Sequence, residues 1–125
     1  MTEQRPDILN RILATKQREL DERRQQKSIH ELQQLAHHDQ LTGLPNRTLF
    51  RDRLEQVRRQ AQREQKSFAL LFIDLARFKE INDTLGNQAG DQLLQEMSLR
   101  LSRCVRASDT LARLGGDEFT VIMSP

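Results

Sequence analysis

The amino-terminal part of the chain places its hydrophobic residues at helical spacing and contains no glycine. Apolar residues recur every three or four positions in residues 8–20 and again in residues 29–36, which predicts one long helix or two consecutive helices. The segment DERRQQKS between these groups has no apolar residue, whereas a coiled coil needs apolar a and d positions over three or four heptads. We therefore predict an exposed helical extension over residues 1–36 that can pair with a partner chain.

Residues 37–125 alternate between helical and strand-like patterns. The break HHDQLTGLPNR contains Asn46, a residue type that caps helices, and an apolar face at helical spacing predicts a helix over residues 47–65. The nearly continuous apolar run SFALLFIDL at 67–75 predicts a central strand that is buried on both faces. The rest predicts helices near 78–85 and 90–105, then the strands DTLARL and EFTVIMS. This order of elements predicts an α/β sandwich with a mixed sheet.

The composition restricts the classes of function that the chain can have. Its 125 residues are the length of one domain, and its net charge of +2 comes from 20 basic and 18 acidic residues that are interleaved. Because no Trp or Tyr can stack on bases, we expect no nucleic-acid polymer as a partner. No apolar run approaches the roughly 18 residues of a membrane span, and the start is not a signal peptide, so we predict a cytoplasmic protein.

The chain has one cysteine, Cys104, and so it cannot form an internal disulfide bond. A lone thiol is typical of proteins from reducing compartments. Cys104 follows Leu101 at helical spacing, and a small apolar side chain in such a pattern is predicted to be buried.

The stretch RLGGDEFTVI, residues 113–122, sets two glycines and two acids between apolar segments. The glycines that precede Asp117 predict a tight β-hairpin turn. Asp74 ends the 67–75 strand, so the two aspartates face each other at one sheet edge if their strands are neighbours. Two carboxylates near backbone carbonyls would suit Mg²⁺. A single aspartate near a turn is explained equally well by solvation and turn formation.

Three stretches of the chain resemble successive motifs of the GGDEF family, the diguanylate cyclases: DQLTGLPNRTLF, FIDLARFKEINDTLGNQAGDQLL and RASDTLARLGGDEFTVI. They occur in order and at the family's spacing over residues 36–123. The resemblance implies a fold similar to the palm of nucleotidyl cyclases and polymerases, with a two-metal site. It also implies a bacterial signalling enzyme that joins two GTP molecules into cyclic di-GMP. Each domain would bind one GTP, so the active form would be a homodimer.

The same resemblance implies roles for individual residues. Asp74 and Asp117 would hold Mg²⁺ together with the backbone carbonyl of Leu75. Asp117, or a water that it orients, would be the catalytic base, and Glu118 would order a phosphate-binding cation. The implied GTP contacts are Asn82 and Asp91 at the guanine edge, Arg77, Phe78 and Lys79 at the terminal phosphates, Leu41 and Leu94 in the base pocket, and Gly115 and Gly116 beside the triphosphate.

The segment RASD matches the family's RxxD motif, at which the product cyclic di-GMP binds and inhibits. Arg106 could bind a phosphate through two donors and stack on guanine, with Asp109 beside it. The alternative is an ordinary Arg–Asp pair at i, i+3, which contributes only about 0.2–0.5 kcal/mol to stability. The sequence leaves both interpretations open.

The chain departs from the family pattern at three places. Ala76 stands where the family often has a second aspartate, and Asn87 replaces a usual histidine. The chain also ends at Pro125, directly after the hairpin strand, where family members continue with residues that contact the phosphates. We therefore expect a partial GGDEF domain over 37–125 with little or no activity by itself.

Two other functions remain open, and one further resemblance is present. The chain could be a non-catalytic module that binds cyclic di-GMP through the RxxD motif, or an inactive fragment that associates through its helix.

The segment RPDILNRILATKQRELDERR also resembles the amino-terminal helix of indole-glycerol-phosphate synthases. None of that barrel's strand pattern follows, so this second resemblance implies no activity.

Overall fold

A computed structural model describes residues 4–125 of the chain. The elements in order are α1 (Gln4–His37), α2 (Arg47–Glu64), β1 (Ala69–Asp74), α3 (Phe78–Leu85), α4 (Asn87–Cys104), β2 (Thr110–Gly115) and β3 (Glu118–Met123). They divide into two compact units, one ending at Gln34 and one comprising Leu35–Pro125. None of the helices described for residues 4–125 has both the length and the hydropathy that a membrane span requires.

The amino-terminal pattern forms one continuous helix, α1, rather than two. The large apolar residues that predicted the helix are exposed: Ile8, Leu9, Ile12, Leu13, Leu20, Ile29, Leu32 and Leu35. The predicted long amino-terminal helix is therefore confirmed, and its apolar side chains are exposed. Pairing of this helix with a partner chain stays a prediction.

The second unit is a three-stranded sheet between helices, with strand order β1-β3-β2. Side chains of β3 alternate between the two faces, and both faces are covered. On one face Phe119 and Val121 pack with Leu94 of α4, and on the other Ile122 packs with Phe50 of α2. The predicted α/β sandwich is therefore confirmed. Both pairings are antiparallel, so the described strands form an antiparallel sheet rather than the mixed sheet that we expected.

The position of β1 in the sheet differs from the prediction. Among the described strands β1 pairs only with β3, and Leu70, Leu71 and Phe72 are 38%, 49% and 69% exposed. The prediction of a central strand buried on both faces is wrong for β1, and β3 takes that place. Within residues 4–125, β1 is an edge strand with β3 as its one neighbour, and α2 packs mainly against β2.

Asn46 at the start of α2 and Cys104 at the end of α4 are the subjects of two predictions, a helix cap and a buried thiol. The Oδ1 atom of Asn46 accepts a hydrogen bond from the Leu49 N–H at 3.1 Å, and so the predicted cap of α2 is confirmed. The Asn46 Nδ2 group also donates to the Ala36 carbonyl at 2.9 Å. Cys104, which we expected to be buried, is exposed because it lies on the outer side of the last turn of α4.

The cap gives a first testable prediction. Asn46→Ala removes both hydrogen bonds of the side chain and should lower the free energy of unfolding by about 1 kcal/mol, as loss of a helix cap commonly does. Asn46→Asp keeps the acceptor for Leu49 and loses the donor to Ala36, so it should retain most of the stability. Urea unfolding followed by circular dichroism measures both, and equal stability of Asn46→Ala and the parent chain would contradict the prediction.

Candidate active site

Three carboxylates lie at one edge of the sheet. Asp74, the last residue of β1, pairs in register with Glu118, the first residue of β3. Asp117 precedes Glu118 in the hairpin turn. Residues that are directly opposite on antiparallel strands have Cβ atoms about 4.5–5.5 Å apart. β1, which ends at Asp74, is therefore the neighbour of β3, which Asp117 directly precedes, as the sequence interpretation required.

The hairpin turn depends on its two glycines. Gly115 has φ +150° and Gly116 has φ +50°, backbone conformations that side-chain-bearing residues rarely adopt. Nothing lies near the position that a Cβ atom would take at either glycine. The glycines therefore fit the turn for conformational reasons, and they leave open space beside its backbone.

The loop after Asp74 leads directly into the amino terminus of α3. Arg77 has φ 62° and ψ 23°, a left-handed conformation that is costly for a residue with a side chain. The Ile81 N–H bonds the Arg77 carbonyl at 3.0 Å, so the N–H groups of Phe78 and Lys79 come before the first hydrogen bond of the helix. Such N–H groups form an anion-binding site at a helix start. These are the residues that the resemblance assigns to the terminal phosphates.

Helices α3 and α4 bring the two predicted guanine contacts together. The Asn82 carboxamide packs so closely on Gly90 that a methyl group at position 90 would overlap it. Asp91 is the next residue of α4 and is exposed. The absence of a side chain at Gly90 therefore allows Asn82 to lie beside Asp91.

The two predicted base-pocket leucines also lie near each other. Leu94 is 1% exposed in a core cluster, and Leu41 packs against the same cluster. The Leu41 carbonyl accepts a hydrogen bond from the Gln95 side chain at 3.2 Å. Leu94 stands one helical turn beyond Asp91. In this structure Leu94 is a core residue, so it would contact a base only at the margin of the core.

A cavity of about 340 Å³ opens beside Asp74 and Glu118. Its other lining residues are apolar: Phe72, Ile73, Leu114 and Phe119. Neither Asn82 nor Asp91 contributes to this lining. The structure therefore does not join the guanine contacts and this cavity into one pocket.

The acidic edge carries oxygen donors of the kind that Mg²⁺ prefers. Within residues 4–125, no three His, Cys, Asp or Glu side chains converge into a metal centre formed by protein alone. Mg²⁺ usually takes only one or two carboxylates and completes its shell with water and substrate phosphates. The carboxylates of Asp74 and Asp117 and the Leu75 carbonyl are donors of this kind, so they fit the ion in number and type.

Arg106 and Asp109 form a local network instead of facing solvent separately. The Asp109 carboxylate accepts hydrogen bonds from Arg106 N at 2.9 Å, Arg106 Nη2 at 3.2 Å and Ser124 N at 3.2 Å. These bonds, with the Arg106 side chain first, hold the pKa of Asp109 below its usual value. The Asp109 side chain is 3% exposed and that of Arg106 is 62% exposed. Arg106 and Asp109 therefore form the i, i+3 pair. Both side chains also hydrogen-bond to the backbone of Ser124, which directly follows β3.

Sequence reasoning missed two residues that hold the turn. Arg113 donates from Nη1 to Asp39 Oδ1 at 2.9 Å, and from Nε and Nη2 to the Gly116 carbonyl at 3.0 and 2.7 Å. Asp39 and Arg113 are 74 residues apart in the sequence, so no local pattern connects them. One signal was available, because an aspartate three residues before Thr42 is typical of a turn held by the aspartate side chain.

Comparison with known proteins agrees with this geometry. The family described as "Diguanylate cyclase, GGDEF domain" matches residues 36–125. The chain belongs to the GGDEF family. The match begins near the end of α1 and includes the acidic edge, both helices of the guanine contacts and the RxxD segment.

Two proteins of Pseudomonas aeruginosa are similar to this chain. The bifunctional diguanylate cyclase/cyclic di-GMP phosphodiesterase MucR is 56% identical over 93 residues, which are 74% of this chain and 14% of MucR. The diguanylate cyclase TpbB is 52% identical over 90 residues, which are 72% of this chain and 21% of TpbB. The chain thus spans about a fifth or less of these relatives' lengths.

A solved GGDEF structure extends the likeness into α1. It contains the coiled coil and GGDEF domain of DgcB from Caulobacter crescentus in complex with cyclic di-GMP. The two structures share 30% sequence identity and a TM-score of 0.80, over 92% of this chain and 59% of the other.

The lowered pKa values of Asp39 and Asp109 give a prediction for the dependence of stability on pH. The pKa of Asp109 is below its unfolded value of 3.8 because of its bonds to Arg106 and Ser124. Burial alone would raise the pKa of Asp39, but the hydrogen bonds from Thr42 and Arg113 outweigh burial and lower it. Both groups therefore stabilise the fold fully above the unfolded pKa, and this contribution is lost as the pH falls through the folded pKa.

Urea unfolding at pH 7, 4 and 3 tests this sign. The free energy of unfolding should fall from pH 4 to pH 3, and Asp109→Asn should show a smaller fall than the parent chain because it lacks one of the responsible carboxylates. Asp83→Asn, which changes an exposed aspartate of α3, is the matched control. A fall that is identical in the parent chain and in Asp109→Asn would exclude Asp109 as a cause.

Proposed function

We propose that residues 37–125 bind GTP and Mg²⁺ as part of a diguanylate cyclase domain that condenses two GTP molecules into cyclic di-GMP. The observation that carries the proposal is the register of β1 on β3. It sets Asp74 opposite the Asp117–Glu118 turn, and the open amino terminus of α3 follows within the next few residues. Acidic donors beside free N–H groups are suited to a metal-bound triphosphate.

The guanine end of GTP would bind between α3 and α4. An amide and a carboxylate together match guanine, because Asn82 can serve its acceptor and Asp91 can accept from its N–H donors. Adenine lacks that donor arrangement. Leu41 and Leu94 would contact the face of the base from the margin of the core.

The phosphate end would bind where the sheet meets α3. Lys79 and the N–H groups around Arg77 and Phe78 would hold the terminal phosphates, and the open backbone of Gly115 and Gly116 would lie beside the triphosphate. Cations and helix-start N–H groups both stabilise phosphate charge.

The acidic edge would bind the metal and accept the proton of the ribose 3′-hydroxyl. Asp74, Asp117 and the Leu75 carbonyl would hold Mg²⁺, which when bound lowers the pKa of the ribose 3′-hydroxyl and offsets charge on the departing pyrophosphate. Asp117, or a water that it orients, would accept the hydroxyl proton. Glu118 would order a phosphate-binding cation.

Condensation needs two GTP-loaded domains, and α1 would supply the homodimer. Its apolar residues are exposed, and the DgcB structure that covers 92% of this chain is of a coiled coil with a GGDEF domain. GTP is a cytoplasmic nucleotide, so the proposed activity places this domain in the cytoplasm.

A second candidate function is binding of cyclic di-GMP through Arg106 and Asp109. The Arg106 side chain favours this function, because it is 62% exposed. Its hydrogen bonds to the Asp109 carboxylate and the Ser124 carbonyl fix the direction of the guanidinium. A guanidinium that is held in this way can bind phosphate and stack on guanine at a reduced entropic cost. The two functions are compatible, since product binding at a separate site would regulate the enzyme.

Calorimetry with GTP tests the main proposal. Asp117→Asn should weaken the GTP-dependent binding of Mg²⁺ by roughly tenfold or more, because a charged metal ligand is lost. Gly90→Ala should weaken GTP binding with and without Mg²⁺, because the new methyl group displaces Asn82.

The matched control for both variants is Asp83→Asn, which removes an exposed carboxylate of α3 outside the proposed site. It should bind GTP and Mg²⁺ like the parent chain. Unchanged Mg²⁺ binding in Asp117→Asn would remove Asp117 from the metal site, and unchanged GTP binding in Gly90→Ala would remove Asn82 from the guanine site.

The second function has its own test. Arg106→Ala should weaken the binding of cyclic di-GMP about tenfold or more, the effect of losing a charge-assisted hydrogen bond, while GTP binding stays unchanged. Arg103→Ala, another exposed arginine near the end of α4, is the control and should bind the dinucleotide normally. Equal affinity in Arg106→Ala and the parent chain would disprove the assignment.

A further inference from the structure

The Arg113 side chain connects two loops of the GGDEF domain through all three of its guanidinium nitrogens. Nε and Nη2 donate to the Gly116 carbonyl, at 3.0 and 2.7 Å, and Nη1 donates to the Asp39 carboxylate at 2.9 Å. The Arg113 side chain is only 13% exposed. Hydrogen bonds that involve a charged group and are shielded from water are stronger than exposed ones. This connection is therefore a stable part of the fold.

The Asp39 end of the connection is itself firmly held. The second carboxylate oxygen of Asp39 accepts from Thr42 N at 2.9 Å and from Thr42 Oγ1 at 2.7 Å. The Asp39 backbone pairs with Gly43 and Leu44, through bonds of 2.8 and 2.7 Å. The backbone N–H of Arg113 also donates to the Pro45 carbonyl at 3.1 Å. The loop between α1 and α2 is thus a fixed platform for the arginine.

The Gly116 end of the connection is the part that needs support. Gly115 and Gly116 have positive φ angles, and glycine gains no restraint from a side chain. The sheet register is also shifted between Arg113 and Gly115, so the ladder is irregular just before the turn. The Gly116 carbonyl belongs to the peptide group that joins Gly116 to Asp117. Holding this oxygen therefore fixes the plane from which the Asp117 backbone continues.

We infer that Arg113 is a positioning residue, which holds the Gly116–Asp117 peptide so that the Asp117 carboxylate is directed toward Mg²⁺ and GTP. Asp39 acts through Arg113 by keeping the guanidinium in place. The inference rests on the proposed function, because it concerns the orientation of a proposed metal ligand. Arg113 itself touches neither metal nor nucleotide in this proposal.

Arg113→Lys is the most direct test. A lysine keeps the positive charge, but a single ammonium group cannot reproduce the planar fork that serves Gly116 and Asp39 together. GTP affinity should be measured by calorimetry on the full chain, once in EDTA and once across a range of Mg²⁺ concentrations. We expect the Mg²⁺ affinity of the GTP complex to fall by roughly tenfold, as on loss of a group that orients a metal ligand. GTP affinity in EDTA should change much less, because the guanine contacts lie on α3 and α4 and only the glycine turn beside the triphosphate is disturbed.

This split separates positioning from a purely structural role. General destabilisation of the domain would lower GTP affinity equally with and without Mg²⁺, and that result would overturn the inference. Arg100→Lys is the matched control, because Arg100 is an exposed arginine paired with Glu96 on the surface of α4. It should leave both affinities unchanged.

Asp39→Asn provides the second variant if Arg113→Lys does not fold. It leaves both bonds from Arg113 to Gly116 available, but it replaces one carboxylate oxygen by an NH2 group, so the side chain can no longer accept from both Arg113 and Thr42. It should therefore reduce the Mg²⁺ affinity by less than Arg113→Lys. Retention of the full Mg²⁺ affinity in Asp39→Asn would then count against the inference.

Asp117→Asn in the same assay distinguishes the two proposals. If Asp117→Asn loses Mg²⁺ affinity and Arg113→Lys does not, the inference about Arg113 is wrong and the proposed function stands. If neither variant changes the Mg²⁺ dependence, the proposed metal site is wrong and the inference fails with it.

Discussion

The antiparallel register between β1 and β3 is the constraint on which the remaining structure depends. It sets Asp74 opposite Glu118, and a slip by one residue would turn every side chain of β1 to the opposite face. Packing supports this register, because Ile73 of β1 packs against the same core cluster as Phe119 and Val121 of β3. The position of the acidic residues is therefore a consequence of burying apolar residues elsewhere on the same strand.

The groups assigned to the candidate site lie at the ends of elements, where backbone N–H and carbonyl groups are left without partners. Asp74 ends a strand, Asp117 lies in a hairpin turn and Phe78 begins a helix. Strained or permissive backbone accompanies them, at Arg77 and at Gly116. The sheet and the packed helices α3 and α4 thus support a candidate site whose own backbone is irregular. At the hairpin turn, the hydrogen bonds from Arg113 to the Gly116 carbonyl restrain that irregular backbone.

Local signals predicted local structure well. The cap at Asn46, the bounds of α3 and the glycine turn before Asp117 all follow from a few neighbouring residues, and the structure contains each of them. The apolar run of β1 indicated burial, but it held no information on which neighbours would cover the strand. The pair of Asp39 and Arg113 was inaccessible for the same reason, since it forms only after the sheet brings distant segments together.

Within residues 4–125, the outer edge of β1 is a surface to which another strand can pair. Residues 69–73 form an uncharged, apolar strand that, within the described chain, has a hydrogen-bonded neighbour on one side only. Such an edge offers unpaired backbone groups to any other extended segment, which is the geometry from which amyloid-like stacking grows. Asp74 at the end of the strand is a charge of the kind with which proteins blunt such an edge, so the residue proposed to bind Mg²⁺ also stands where an unpaired strand needs a charge.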